Sequence, residues 1–537
     1  MDGRLGILFG EGSGISATVA EDGHRRRVPS SGAPRPPVAP APLKVAFTTP
    51  EIFSLVRRTN LAEISEFLPK TLHALGTDVR VFMPLHGDLR AENILDLAFA
   101  GDVVIPEGKG ELTLKVYTAI LQGTNLPLVM FDHAELFRNR HPYGDDNGPY
   151  ADNWRRYAAF ARGVLASFEL LRFSPSVIHC MDWTSGLIPL FQELEYRSQD
   201  PKHPAAKAGT YFALHNLAMQ GTFEREILPN IGIPLEYFRS VEGLELGGRV
   251  NYLKAGIEFA TIVGSHSPNQ ALRLQSEERG DGLDESFKRR KKELVGVLTG
   301  IDYRAWDPSA DMLLAQAYSI ADADPLKGKR KCKATLQENL RLAVDPRIPV
   351  IAIIGRFDAD SGFDLLTESI TPILERSTQL IMMGPGQPEV LERLRTVEQT
   401  FSNCCRVLEG YNINTAHTLM GGADFLLLPG HFHPSNSLCA IAMRYGTVPI
   451  AYANSGLEDT ITDIQTDPEK GTGLFFHHYG TRSLLEAVDA ARALFKKTKD
   501  WKMFVRRCME KDFSWRESAR NHLLAYRRVT RRARPRK

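Results

Sequence analysis

Long apolar runs are missing from this 537-residue chain. None approaches the ~18 residues that a membrane-spanning helix needs, so no span is expected. Cysteine is scarce and unpatterned: six residues, at 180, 332, 404, 405, 439 and 508, with no C-x-x-C pair. That argues against a zinc or disulfide framework and fits the reduced thiols of a cytoplasmic protein. Neither sign of charge dominates. The 66 Lys and Arg against 64 Asp and Glu leave a net charge of +2, which argues against bulk attraction to nucleic acid or a membrane surface. The opening residues, MDGRLGILFGEGSG, lack a basic segment followed by a sustained apolar stretch, so no secretory signal is expected.

What is present is the composition of a soluble enzyme-sized protein. Hydrophobic residues make up 43% and charged residues 24%, and the length exceeds what one core can organise. Residues 1–43 are rich in Gly, Ser, Arg and Pro and end in APRPPVAPAPL, a composition that buries no core and reads as a disordered arm. From KVAFTT (44–49) onward, short apolar strands alternate with helical patterns. VRVFMP (79–84), LPLVMFD (126–132), SVIHCMDW (176–183) and TYFALHN (210–216) are expected strands, with helices over 61–76 and 150–172. A second series follows from residue 345: RIPVIAIIGR, QLIMMGPG, ADFLLLP and TVPIAYA. Such alternation implies parallel sheets covered on both faces. GVLTGIDYRAWDPSAD (296–311) marks a crossover between the series. The expected organisation is an arm (1–43), a first Rossmann-like domain (44–305), a joining segment (306–344), a second Rossmann-like domain (345–510), and a C-terminal helix with a basic tail (511–537). The tail, RRVTRRARPRK, reads as solvated.

Residues 423–460 are the most informative. FLLLP breaks into a polar loop and restarts as the helix LCAIAMRYG; TVPIAYA runs into Asn454-Ser455-Gly456 and then LEDTITDI. Two strand–loop–helix units in a row put two helix N-termini on one sheet edge, where free N–H groups attract an anion such as a phosphate.

Several motifs in order carry a family resemblance across about 44–526. They are HNLAMQGTF (215–223), VNYLKAGIEFA (250–260), GIDYRAWDP (300–308), RYGTVPI (444–450), GTGLFF (471–476) and DFSWRESA (512–519). The chain resembles the bacterial glycogen synthase and starch synthase family of glycosyltransferases. The resemblance implies an α/β fold of the GT-B kind, two doubly wound Rossmann-like domains facing a central cleft. It also implies transfer of glucose from ADP-glucose, or another nucleotide sugar, to the non-reducing end of an α-1,4-glucan, with retention and without a metal or cofactor.

Carried over residue by residue, the resemblance assigns His215 and Arg356 to catalysis. His215 would meet the transferred glucose and Arg356 would clamp the diphosphate. Glu51, Arg57, Asp182, Asn216, Gly384, Gly386, His433, Asn436, Ser455, Gly456 and Leu457 would bind substrate. Plainer readings stand beside these: His215 as a packing histidine, Asp182 as the cap of the next helix, and Arg356 as a surface ion-pair partner.

The chain departs from the family pattern around the donor. Lys-x-Gly-Gly-Leu is Arg57-Arg58-Thr59-Asn60-Leu61, adding side chains where glycine lets backbone approach a ligand. A lysine becomes Ser361, removing a charge-assisted bond of roughly 1.5–3 kcal/mol, or about 10- to 100-fold in rate if it acts on the leaving group. Glu-Pro-Cys-Gly-Leu becomes His433-Pro434-Ser435-Asn436-Ser437, so a neutral acceptor replaces a carboxylate. Two function classes follow. One is an active ADP-glucose:glucan glucosyltransferase of the glycogen synthase type; the other is a glucan-binding or regulatory relative that has lost turnover. An unrelated GT-B transferase is a third, generic reading.

Overall fold

The computed structural model describes residues 43–533 except 432, 434, 454 and 455; the arm expected over 1–43 thus falls, but for Leu43, outside the described residues. Among the described residues nine strands form one sheet. They are β1 (Lys44–Thr48), β2 (Asp78–Pro84), β3 (Ile94–Glu107), β4 (Gly110–Leu121), β5 (Pro127–Asp132), β6 (Val177–Met181), β7 (Gly209–Ala213), β8 (Ile262–Ser265) and β9 (Leu294–Gly296). Their order across the sheet is β9-β8-β7-β6-β1-β2-β5-β4-β3. Strands β1, β6 and β7 are apolar and buried along almost their whole length because helices cover both faces, which is why they read as continuous hydrophobic runs. Among the described residues only β3 and β4 form a long antiparallel hairpin, which continues antiparallel onto β5. That hairpin leaves Leu95, Leu97 and Phe99 exposed on its outer strand.

Among the described residues a second sheet contains six parallel strands: β10 (Val350–Ile354), β11 (Gln379–Gly384), β12 (Cys405–Glu409), β13 (Phe425–Leu428), β14 (Val448–Tyr452) and β15 (Leu474–Phe476). Their order is β12-β11-β10-β13-β14-β15. Helix Pro325–Asn339 docks on this second unit through two buried lysines. Lys333 pairs with Asp424 at 2.7 Å, and Lys329 donates to the Tyr445 carbonyl (3.0 Å) and the Thr447 hydroxyl (2.8 Å).

The last helix, Trp515–Arg532, returns to the first sheet. It begins with Ser514 accepting from the Glu517 N–H, the S-x-x-E start pattern visible in the sequence. Its apolar side enters the first core with Trp515, Ala519, Tyr526 and Val529, and Tyr526 Oη lies 2.6 Å from His179 Nδ1. At Gly209 the helix comes so close that a Cβ would sit 2.4 Å from Val529 Cγ1. The helix also absorbs half of the basic stretch expected to be solvated. Arg528 donates to the Lys292 carbonyl and Arg532 pairs with Glu293, so these cations pin the helix to the first domain.

Candidate active site

Strand order reverses beside the first strand of each sheet. In the first sheet β1 lies between β2 and β6, so the loops leaving β1 and β6 diverge and open a crevice at the carboxyl edge. Glu51 follows β1 and Asp182 follows β6. Glu51 is fully buried. Its Oε2 accepts the backbone N–H groups of Arg58 (2.6 Å) and Thr59 (3.0 Å), and its Oε1 accepts the hydroxyls of Thr59 (2.5 Å) and Tyr143 (2.7 Å). The carboxylate is therefore the anchor of the 57–60 loop, and Thr59 uses its hydroxyl on that anchor. Arg57 is exposed, 3.4 Å from Glu63 and over the Phe53 ring at 4.6 Å. Asn60 is exposed and makes no side-chain cap bond.

Asp182 holds a left-handed backbone, φ 49°, a region that costs a non-glycine residue energy and signals over-determination by its surroundings. Its Oδ1 accepts the N–H of His215 at 2.6 Å and, more distantly, that of Asn216 at 3.5 Å. Burial pushes the carboxyl up to about 7, opposed by these two N–H groups and reinforced by the charge of Glu51. The capping alternative fails, because Asp182 makes no side-chain bond to the turn that follows. Trp183 packs in the core edge-on to Tyr157 at 4.8 Å, and Gly221 (φ +63°) lies against its ring. His215 sits at the carboxyl end of β7. Its Nδ1 lies 3.2 Å from His266 Nδ1, its carbonyl lies 2.9 Å from His266 Nε2, and its own Nε2 is buried without a hydrogen-bond partner among the described residues. Burial holds the His215 ring well below the usual histidine range, and neighbouring His266 adds to the effect. Asn216 is exposed and its Oδ1 accepts the Ala218 N–H at 3.0 Å.

In the second sheet the reversal lies between β10 and β13. Arg356 leaves β10 with its side chain 69% exposed and pairs with Asp358 at 3.0 Å. The Ser361 N–H donates to the same Asp358 at 2.9 Å. Gly384 and Gly386 have an internal reason to be glycine. A Cβ at 384 would meet the Gly355 carbonyl at 1.7 Å, and one at 386 would meet Phe357 Cβ at 2.9 Å, so the two loops pack backbone to backbone. After β13, the His433 ring lies against Gly430 and beside the Leu428 carbonyl; burial pushes it down to about 4, so it is neutral at pH 7. Its Nε2 has no partner among the described residues. Asn436 is buried and commits its amide to the crossover: its Oδ1 accepts the Thr299 hydroxyl at 2.8 Å and its Nδ2 lies 3.5 Å from the Thr299 carbonyl. Gly456 takes φ +92°, Leu457 buries its side chain in the core, and Ser455 lies outside the described residues.

Side chains bridge the two crevices. Asp459 accepts both the backbone N–H (2.7 Å) and the side-chain amide (2.9 Å) of Asn269. Glu458 pairs with Arg273, and Arg279 donates to the His431 carbonyl at 3.3 Å. Helix Pro268–Arg273, which starts two residues after His266, thus ties the His215 side to the 456–459 loop. Glu51, Asp182, His215 and Asn216 come together on one side; Gly456 and Leu457 directly precede the bridging Glu458 and Asp459, while Asn436 is tied instead to Thr299 of the crossover. Arg57 and Arg356 stay exposed beside local acids. Sequence reasoning passed over Tyr143, His266, Asn269 and Thr299. For His266 the signal was available: it directly follows β8, the strand beside β7, so its neighbour at the sheet edge is the loop of His215.

Comparison with known proteins agrees with the fold. The sequence model of the starch synthase catalytic domain matches residues 44–289. A glycogen synthase of Moorella thermoacetica is 34% identical over 495 residues, covering 90% of this chain and 96% of the relative. One of Syntrophotalea carbinolica is 31% identical over 488 residues, covering 91% and 99%. The catalytic domain of Starch Synthase IV from Arabidopsis thaliana, solved bound to ADP and acarbose, superposes with a TM-score of 0.77 at 26% identity, over 91% of this chain and 100% of that one. A sucrose-phosphate synthase from Thermosynechococcus elongatus shares the fold, with a TM-score of 0.52 at 16% identity. Two doubly wound sheets whose switch points face one another, with relatives matched along nearly their whole length, make this a GT-B protein, and the chain belongs to the glycogen synthase family.

Proposed function

We propose that this chain transfers glucose from ADP-glucose to the non-reducing end of an α-1,4-glucan, with retention at the anomeric carbon. One observation carries the reading: the crevice holding Asp182 and His215 is bridged to the loop before Glu458 and Asp459 by Asn269 and Arg273. That bridge brings the sugar-handling side of one sheet to the anion-attracting edge of the other. In the reaction the bond from the anomeric carbon to the diphosphate oxygen breaks. A bond to an acceptor hydroxyl oxygen forms, and that hydroxyl gives up its proton as ADP leaves.

In this reading Arg356 exchanges Asp358 for the diphosphate, aided by the N-terminus of helix Ser437–Arg444. Gly384 and Gly386 lie beside the nucleotide, and Arg57 adds charge at the rim. Asp182 aims the His215 loop at the transferred glucose, while Asn216, His433, Asn436, Ser455, Gly456 and Leu457 shape the donor cradle. Residues 44–305 serve as the acceptor side and 345–510 as the donor side, joined by 306–344. We propose the cytoplasm as the compartment, where reduced thiols such as these six persist; among the described residues no helix is long and apolar enough to cross a membrane. The binding-only alternative is not favoured, because Thr59 and Asn436 are bonded internally, to Glu51 and Thr299, and leave neither loop slack. Purified protein is expected to incorporate labelled glucose from ADP-glucose into glycogen. No incorporation from ADP-glucose or UDP-glucose, alongside measurable glucan binding, would overturn the reading.

A further inference from the structure

The pair formed by His215 and His266 has only one consistent arrangement of protons. A carbonyl oxygen only accepts, so His266 Nε2, 2.9 Å from the His215 carbonyl, carries a hydrogen and donates it. Burial lowers the His266 pKa, which leaves its ring neutral and its Nδ1 a bare acceptor. Facing it at 3.2 Å, His215 Nδ1 must then supply the hydrogen between the two rings. His215 is neutral as well, held so by burial and by the neighbouring ring, so its second nitrogen, Nε2, is a bare lone pair. That atom is buried and has no hydrogen-bond partner among the described residues. A buried acceptor without a donor is costly, and at the carboxyl edge of this sheet the natural donor is a hydroxyl of the bound sugar.

We infer that His266 is a positioning residue: through the paired Nδ1 atoms and the His215 carbonyl it locks His215 with Nε2 bare, ready to accept a hydrogen bond from the transferred glucose. The role, which rests on the glucosyl-transfer reading above, is not a matter of simple packing. The rings meet edge to face at 4.5 Å and 63°, and His266 is itself fixed from behind, its N–H donating to Gln270 Oε1 at 2.7 Å. Gln270 lies on the helix that Ser267 caps, accepting the Gln270 N–H at 3.1 Å, and that Asn269 ties to Asp459. The ring orientation is therefore coupled to the same helix that bridges the cleft.

Two variants separate this from a structural role. His266→Val removes both bonds to His215 and frees its ring to exchange tautomers. In His266→Gln the side-chain amide offers a donor to the carbonyl and an acceptor to Nδ1–H, so it should restore the lock. Histidine nitrogen NMR of the full-length protein, without substrate, reads the tautomer directly. The wild type and His266→Gln should show His215 protonated at Nδ1, and His266→Val should show a mixture. In the transfer assay His266→Val should lose roughly tenfold in kcat/KM for ADP-glucose, the scale of one hydrogen bond, while His266→Gln stays within about threefold of wild type. A wild-type ring protonated at Nε2 would overturn the inference. So would a His266→Val protein with the wild-type tautomer, or a His266→Gln protein as impaired as the valine variant. Because the NMR result does not depend on turnover, a chain with no transferase activity would sink the functional reading while leaving the tautomer assignment to be judged separately.

Discussion

Glu51 offers the sharpest test of how the first loop is held. The two oxygens of its buried carboxylate have different duties. Oε2 takes two backbone N–H groups, Arg58 and Thr59, which can only donate; Oε1 takes two hydroxyls, Thr59 and Tyr143, which can rotate and accept instead. Glu51→Gln can therefore place its oxygen at the two N–H groups and its NH2 at the two hydroxyls, keeping the number of bonds and losing only the charge assistance. That loss is roughly 1 kcal/mol. Glu51→Ala strands both backbone donors, and since the loop is part-exposed and water can reach it, the cost is about 2–3 kcal/mol, the lower part of the usual range for two groups. Amide hydrogen exchange at Arg58 and Thr59 reads this local opening directly. The expected acceleration is about fivefold in Glu51→Gln and roughly 30- to 150-fold in Glu51→Ala, with KM for ADP-glucose rising in the same order. Equal acceleration in the two variants would refute the division of labour between the oxygens, and no acceleration in either would show that Glu51 does not anchor the loop.

Other outcomes follow from the same bonds. Asn436→Gly should lower stability by about 1–2 kcal/mol in urea denaturation, and a double-mutant cycle with Thr299→Val should show coupling of roughly 1 kcal/mol; strict additivity would deny the bond between them. His433→Glu should give no gain in transfer rate, because the wild-type ring is packed into its own loop against Gly430 rather than left as a gap. A gain of about tenfold or more would show the loop to be a damaged donor site. Acid should weaken the fold through His522, buried between the last helix and the first sheet and pushed by burial from 6.5 down to about 4. Its neutral form is the folded form, so its contribution is complete above pH 6.5 and is lost as pH falls toward 4, amounting to about 2 kcal/mol by pH 5. His522→Phe should flatten that part of the stability profile measured by urea midpoints at pH 7 and pH 5.

The two sheets were legible because their central strands are buried on both faces. KVAFT, VIAII and FLLL carry their signal in composition alone, and capping at Ser514 and the crossover at 300–308 are local chemistry. The β3–β4 hairpin was passed over: β3 is open to solvent along most of its length and carries little apolar signal, although the alternation in GELTLKVYTAIL is a readable strand pattern. Nor were the contacts of the basic tail legible, although Arg527, Arg531 and Arg532 are exposed as expected. Charge density says nothing about where a carbonyl such as that of Lys292, 236 residues away in sequence, will stand.

For the candidate site, motif order nominated residues but said nothing of the direction of their side chains. Thr59 and Asn436 stand where the family resemblance implies glycine, and from the sequence both look like obstructions to a ligand. In the fold each is one half of a pair. Thr59 bonds Glu51, and Asn436 bonds Thr299. The Ser361 loop is also tied internally, its N–H donating to Asp358, the acid that Arg356 also meets. A glycine in such a loop leaves room for a substrate and little to hold the loop when the substrate is absent. A side chain bonded inward supplies that hold at all times, which shortens the list of conformations the empty loop visits and lowers the ordering cost of binding. In the proposed cradle these inward bonds act as preorganisation at the expense of direct backbone approach. That exchange makes a specific demand: Thr59→Gly and Asn436→Gly, which move toward the family pattern, should raise KM for ADP-glucose more than they lower kcat.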